Sequence, residues 1–339
     1  MTPASDTEDR RFLRAALERL GFALGRGPLR FEKMGGGVAS DIWRIDLPDG
    51  PICIKRALPK LRVESDWYVP VERNAYEVGW FETAAAIEPD AVPRLIGHDP
   101  EGGLFAMAFL DPAAYHQWKS ELRFGRADPA VAAEVGRRLA HIHAATAGDP
   151  SLAERFATDG IFHAIRLEPY LEATSGDHAD LRDILFALSR RTAETRLALV
   201  HGDVSPKNIL LGPAGPVFID AECAWYGDPV FDIAFCLKHL LLKCLWNPGF
   251  SQEYMMCFEA LSAAWLEGVD WEPRDIVEAR AASLLPGLFL GRVDGRSPAE
   301  YVTEEEDRNR VRRVARALLA TSPGSFRQVG NAWRAELRL

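Results

Sequence analysis

No stretch of this 339-residue chain is apolar for long enough to cross a bilayer. The most hydrophobic run, Val230 to Trp246, is interrupted by Asp232, Lys238, His239 and Lys243, and reads as an amphipathic buried helix. Cysteine is scarce. The five present (Cys53, Cys223, Cys236, Cys244, Cys257) are odd in number and form no C-x-x-C pair, so neither a disulfide framework nor a zinc module is expected, and reduced thiols in the cytoplasm fit best. Positive charge is not in excess: Lys+Arg 40 against Asp+Glu 49 leaves a net charge of −9, which gives no reason to expect a nucleic-acid partner. Met1 to Arg11 is polar, so no secretory signal is read there. Repeats, low-complexity segments and a Walker-A pattern are all missing, and the last absence excludes the P-loop kinases. What remains is ordinary globular material, 47% hydrophobic and 26% charged, long enough for two lobes of roughly 150 residues each.

The first part of the chain reads as sheet, the rest as helix. Ser5-x-x-Glu8 forms a capping-box pattern, and Phe12, Leu13, Ala16, Leu17 and Leu20 follow at helical spacing as far as Gly21. Three short strands are expected at Leu29 to Lys33, Ile42 to Asp46 and Ile52 to Arg56. A triple-glycine turn joins the first pair, and Leu47-Pro48-Asp49-Gly50 joins the second. A helix over Glu72 to Ile87 comes next, and Pro93 to Gly97 with Leu104 to Phe109 complete an antiparallel sheet. After Asp111 strand signals nearly vanish; Pro129 to Ala147, Pro229 to Trp246, Gln252 to Leu266 and Asp275 to Leu290 have helical periodicity, and one hairpin near residue 210 is the exception. The class is therefore α+β, a small sheet lobe before a larger helical one.

That hairpin carries the sharpest signal. His201-Gly202-Asp203-Val204-Ser205-Pro206-Lys207-Asn208 leads into Ile209-Leu210-Leu211, a Gly/Pro turn at 212–216, and Val217-Phe218-Ile219-Asp220. Asn208 enters the first strand and Asp220 leaves the second, so both sit at the open end of the hairpin with Asp203 one loop away. An amide oxygen beside a carboxylate suits Mg²⁺, a hard cation that takes few protein ligands and leaves positions for phosphate oxygens. Glu222 points to the same side if the chain stays extended through Ala221. By contrast, His141-x-His143 on a helix faces two directions and is not read as a metal pair.

The pattern His201-Gly-Asp-x-x-x-x-Asn208 with Asp220, extended by Gly227-Asp228-Pro229-x-x-Asp232, resembles the aminoglycoside phosphotransferase and choline kinase group, relatives of the protein kinases. The resemblance implies a protein-kinase-like bilobal fold, with a small antiparallel-sheet N-lobe and a larger, mostly helical C-lobe. It also implies ATP and Mg²⁺, Asp203 as catalytic base toward an acceptor hydroxyl, and Asn208 and Asp220 as metal ligands. Lys55-Arg56-Ala57-Leu58-Pro59-x-x-Arg62, then Trp67, Pro70, Arg73 and Glu77, is similar to the 5-methylthioribose kinases, as is Asp220-Ala221-Glu222. That narrower likeness implies a second metal carboxylate at Glu222. The segment 204–207 and the glycine loop depart from it.

Placed on this frame, Gly35, Gly36, Gly37 and Ser40 would cover phosphates, and Lys55 would grip them, paired with Glu77 or, as second choice, Glu72. Backbone from Met107 to Phe109 would meet adenine. The expected division is 1–107 for the nucleotide lobe, 108–112 for a hinge, and 113–339 for the helical lobe. His201, Asp203, Trp225, Arg292 and Asp294 are expected on the acceptor side, Arg292 because guanidinium makes fixed bidentate contacts. The expected function is ATP-dependent transfer of a γ-phosphate to a hydroxyl of a small sugar-like or amino-alcohol metabolite. The expected protein is a cytoplasmic monomer or homodimer with no nucleic-acid or membrane partner. An antibiotic-modifying phosphotransferase and a catalytically inactive nucleotide-binding module are the alternatives.

Overall fold

The computed structural model describes residues 3–24, 29–35, 40–59 and 71–339. Gly36 and Gly37 of the glycine turn, and Arg62, Trp67 and Pro70, lie outside the described residues. Helix α1 (Pro3–Arg19) precedes strands β1 (Arg30–Met34), β2 (Ser40–Leu47) and β3 (Gly50–Ala57); helix α2 (Arg73–Ile87) then leads to β4 (Leu95–Asp99) and β5 (Leu104–Ala108). The five strands form one antiparallel sheet in the order β1-β2-β3-β5-β4.

Alternation along the strands sends side chains to two different places. Trp43, Ile45, Ile52, Ile54, Leu104 and Ala106 form one face and bury Leu13, Ala16 and Leu17 of α1. Cys53, Lys55 and Met107 fall on the opposite face, which lines the main cavity. The same period that builds a small core therefore presents a lysine to the cleft.

The chain leaves β5 at Ala108 and next pairs at β6 (His116–Gln117). Helices α3 (Trp118–Arg123), α4 (Pro129–Thr146), α5 (Pro150–Arg155) and α6 (Asp159–Phe162) follow, then a π-helical segment at His163–Glu172 and helix α7 (Arg182–Glu194). Pro169 sits inside the π-helical segment, where it offers no N–H to a regular helical ladder. Strands β7 (Ala198–Val200), β8 (Ile209–Gly212), β9 (Gly215–Phe218) and β10 (Trp225–Gly227) precede helices α8 (Val230–Trp246), α9 (Ser251–Glu267), α10 (Arg274–Asp294), α11 (Glu305–Thr321) and α12 (Phe326–Leu337). Helix α8 is buried along nearly its whole length, including its four polar residues Asp232, Lys238, His239 and Lys243. None of the described helices is long and apolar enough to cross a membrane.

The expected hairpin forms, with Ile209 opposite Phe218 and Gly212 opposite Gly215. It is not alone: β6 extends it, and β7 pairs with β10. Three-residue strands carry too little periodicity to stand out in a sequence. Helix α10 also runs past Leu290 to Asp294 and keeps Pro286 within it.

Candidate active site

The hairpin's open end, the β3 lysine and the C-lobe helices converge on one cavity of about 890 Å³. Asp203, Asn208, Asp220 and Glu222 line it together with Lys55, Glu77, Gly35, Ser40, Met107 and Phe109. Strand closure explains the central pair, because Ile219 N–H donates to the Asn208 carbonyl at 3.0 Å and so brings positions 208 and 220 side by side.

The loop that holds Asp203 is fixed from beneath. Asp232, wholly buried in the first turn of α8, accepts hydrogen bonds from the backbone N–H of His201 (2.7 Å) and of Gly202 (2.8 Å). It lies 3.3 Å from His143 Nε2, while His143 Nδ1 accepts from Trp265 Nε1 at 3.2 Å. Gly202 has φ +78°, and a Cβ there would come within 2.5 Å of the Cys223 carbonyl oxygen, so only glycine makes this turn. His201 Nδ1 accepts from Asp203 N–H at 3.2 Å, which leaves Nε2 to donate to the Ile219 carbonyl at 3.2 Å. Burial holds this imidazole below its ordinary pKa, so the ring is neutral, as both bonds require.

Asp203 is met by three donors at one oxygen: Arg166 Nη2 at 3.0 Å, Lys207 Nζ at 3.2 Å and Asn208 Nδ2 at 2.9 Å. Burial pushes its pKa up, but Arg166 and Lys207 outweigh burial and hold it below the usual carboxylate range. Asp203 in turn raises Lys207. The amide nitrogen of Asn208 also donates to the Asp203 carbonyl at 3.1 Å, leaving the amide oxygen for a cation.

Across the cleft, Lys55 Nζ donates to Glu77 Oε1 at 2.8 Å and to Asp220 Oδ1. Glu77, and not Glu72, is therefore the partner on α2. Burial disfavours the Lys55 charge, yet Asp220 and Glu77 together raise its pKa; Lys55 correspondingly outweighs burial and lowers Asp220. Asp220 adopts a left-handed backbone (φ +67°), so the strand does not continue extended into Glu222. Glu222 reaches the cavity all the same, with Oε2 3.0 Å from Arg73 Nε at the start of α2. Asn208, Asp220 and Glu222 give an all-oxygen donor set that fits a hard divalent ion completed by ligand oxygens. Among the described residues no three His, Cys, Asp or Glu side chains converge as a self-sufficient metal cage.

Three residues expected on the acceptor side stand elsewhere. His201 is buried behind the loop. Trp225 stacks on Phe162 (centroids 4.2 Å apart) and donates to Asp159 at 2.9 Å, because its strand pairs with β7. Asp294 is taken by His178 (2.8 Å) and Arg312 (2.6 Å). Arg292 does line the cavity. Sequence reasoning missed Arg166, since it lies in the irregular π-helical segment with no motif around it.

Comparison with known proteins places the chain in a family. The model of the phosphotransferase enzyme family APH matches residues 31–266. A methylthioribose kinase of Pectobacterium atrosepticum is 29% identical over 251 residues, 64% of this chain and 61% of the relative. One from Pectobacterium carotovorum is 27% identical over 308 residues, 77% of this chain and 75% of the relative. The chain thus spans about three fifths of the first relative's length and three quarters of the second's. A solved choline/ethanolamine kinase family protein from Mesorhizobium loti superposes with a TM-score of 0.54 at 18% identity, covering 96% of this chain and 99% of that one, a likeness of fold.

Proposed function

Because this chain belongs to the phosphotransferase enzyme family APH, we propose that it moves the γ-phosphate of ATP to a hydroxyl of a small, sugar-like metabolite. What supports this reading most is the meeting of Asp203, Asn208, Asp220 and the Lys55–Glu77 pair on one cavity. The methylthioribose kinases that this chain resembles put methylthioribose among the acceptors to be tried.

In this reading adenine lies against Cys53, Phe81, Met107 and Phe109, and Gly35 and Ser40 stand at the phosphate end of the same wall. Lys55, oriented by Glu77, binds the α- and β-phosphates. Mg²⁺ held by Asn208, Asp220 and Glu222 would offset the charge of the triphosphate. Asp203 orients the acceptor hydroxyl and takes its proton as the new P–O bond forms and the bond to the departing ADP oxygen breaks. Its depressed pKa keeps it ionised, so it is always able to accept that hydrogen bond. Arg166 and Lys207 keep it in place. The five unpaired cysteines, all buried, favour a reducing compartment such as the cytoplasm.

The test is ADP release with Mg²⁺ over a panel of hydroxylated metabolites. Asp203→Asn should lower turnover by about 10³-fold or more while the KM for ATP stays within about threefold. An unchanged rate, or silence from every acceptor together with no binding of nucleotide, would sink the proposal.

A further inference from the structure

The part of the cavity beyond Asp203 has an unusual lining. Phe235, His239 and Lys243 follow one another at intervals of four on α8, so they share one face, and all three line the cavity. Lys238 lies beside them, wholly buried. Its ammonium sits 3.0 Å from the Phe235 ring centroid and 4.2 Å from that of Tyr170, and it has no hydrogen-bond partner. Lys243 is buried with its ammonium over Trp246 (4.1 Å) and Tyr301 (4.0 Å), two rings stacked 4.5 Å apart.

Arg292 closes the other side from α10. Helix α10 can come this close to the π-helical segment because Gly291 has no side chain; a Cβ there would lie 2.2 Å from the Tyr170 carbonyl oxygen. The Arg292 guanidinium is 6.0 Å from the Tyr170 ring and donates to Ser297 Oγ at 3.0 Å, yet its buried Nε is unpartnered, as is the hydroxyl of Tyr301. Two carboxylates face this end. Asp203 is already met by Arg166, Lys207 and Asn208, and Glu300 at the rim is bound to Lys119 and stands 4.0 Å from Arg292 Nη2. Basic side chains therefore outnumber acidic ones at this end, inside a chain whose net charge is −9.

A site for a cationic acceptor has the opposite design: acidic groups, and aromatic faces left open to receive the ligand's ammonium. Here the protein's own lysines occupy those faces. From these contacts we propose that the acceptor carries an anionic group, a carboxylate or a phosphate, which is bound by Lys243 and Arg292 while its hydroxyl meets Asp203. The inference rests on the phosphotransferase reading above and narrows its substrate class. Lys243 and Arg292 both line the cavity, where they can meet that anion. The chemistry is otherwise unchanged: the hydroxyl oxygen bonds to the γ-phosphorus, the bond to ADP breaks, and the proton passes to Asp203.

The test compares matched acceptors at constant ionic strength. D-gluconate and D-glycerate form the carboxylate arm, ribose 5-phosphate and glycerol 3-phosphate the phosphate arm; sorbitol, glycerol and methylthioribose are uncharged, and choline and kanamycin cationic. ADP release should favour one anionic arm over the uncharged compounds by at least about 100-fold in kcat/KM. A turnover-free arm measures the melting temperature with Mg²⁺ and a non-hydrolysable ATP analogue, where gluconate or ribose 5-phosphate should raise it and sorbitol should not. Arg292→Gln and Lys243→Met should raise the KM of the anionic acceptor at least tenfold and leave that of ATP unchanged, with Lys243→Arg largely restoring it. Preference for methylthioribose, sorbitol or choline overturns the anionic class and leaves the phosphotransferase standing, as does a melting temperature indifferent to every anion. Binding of an anion with no phosphoryl transfer to any compound supports the site and overturns the reaction.

Discussion

Single residues here do several jobs at once, and their charges are set by neighbours more than by type. Asp203 stays ionised although buried because Arg166 and Lys207 face it; Lys238 and His239 are held well below their ordinary pKa, by burial first and then by nearby cations. Lys243 shows the consequence. Burial, then the charge of Lys119, pushes it down to about 6, with Arg292 adding to the fall and Glu300 opposing it. In the free protein at pH 7.5 this lysine is therefore mostly neutral, and a bound anion favours its charged form. Binding of the anionic acceptor should take up protons between pH 6 and the ordinary lysine range, and should tighten as pH falls from 8 toward 6. Calorimetry in buffers of different ionisation enthalpy reads that uptake directly; proton release on binding would contradict it. Three residues of the proposed site were legible as letters, Asp203, Asn208 and Asp220, because their spacing around a hairpin is a pattern. Arg166 was not, because nothing in the sequence of an irregular segment says where its side chain will reach.

Elements position these residues by a few buried contacts. The loop that carries Asp203 contains no regular structure of its own between β7 and the turn at Pro206, and it is held by Asp232 of α8 through two backbone N–H groups. Asp232→Ala should leave both donors buried without an acceptor and cost about 3 kcal/mol or more. Urea denaturation measures the loss, and Asp232→Asn, which keeps one acceptor oxygen, should lose less. A change below about 1 kcal/mol would mean the loop is held by other means. The sheet was readable from alternation, and the long helices from their period. The pairs β7–β10 and β6–β8 were not, since two or three residues give no period and their pairing is settled by the chain around them.

At the scale of the molecule, two ion pairs join the sheet lobe to the helical one across the cleft, Lys55 with Asp220 and Arg73 with Glu222. Both engage carboxylates that the proposed reaction assigns to a metal, so lobe closure and ligand binding draw on the same groups. The double variant Lys55→Met, Arg73→Gln should loosen the lobes: limited proteolysis at the crossing 109–115 should speed up and the radius of gyration should grow, with the circular dichroism spectrum unchanged. Equal proteolysis rates would show that other contacts, among them Arg155–Glu82 and Arg137–Glu88, hold the lobes. The sequence by itself determined the α+β class, the order of sheet before helices, the hairpin, and the grouping of Asp203, Asn208 and Asp220, all of which follow from local periodicity and short spacing. Only the tertiary structure decided that Glu77 meets Lys55, that Trp225 and Asp294 turn away from the cleft, and that Lys243 and Arg292 share a cavity with Asp203. Those contacts join residues on separate elements, and close packing, which no linear pattern encodes, selects them.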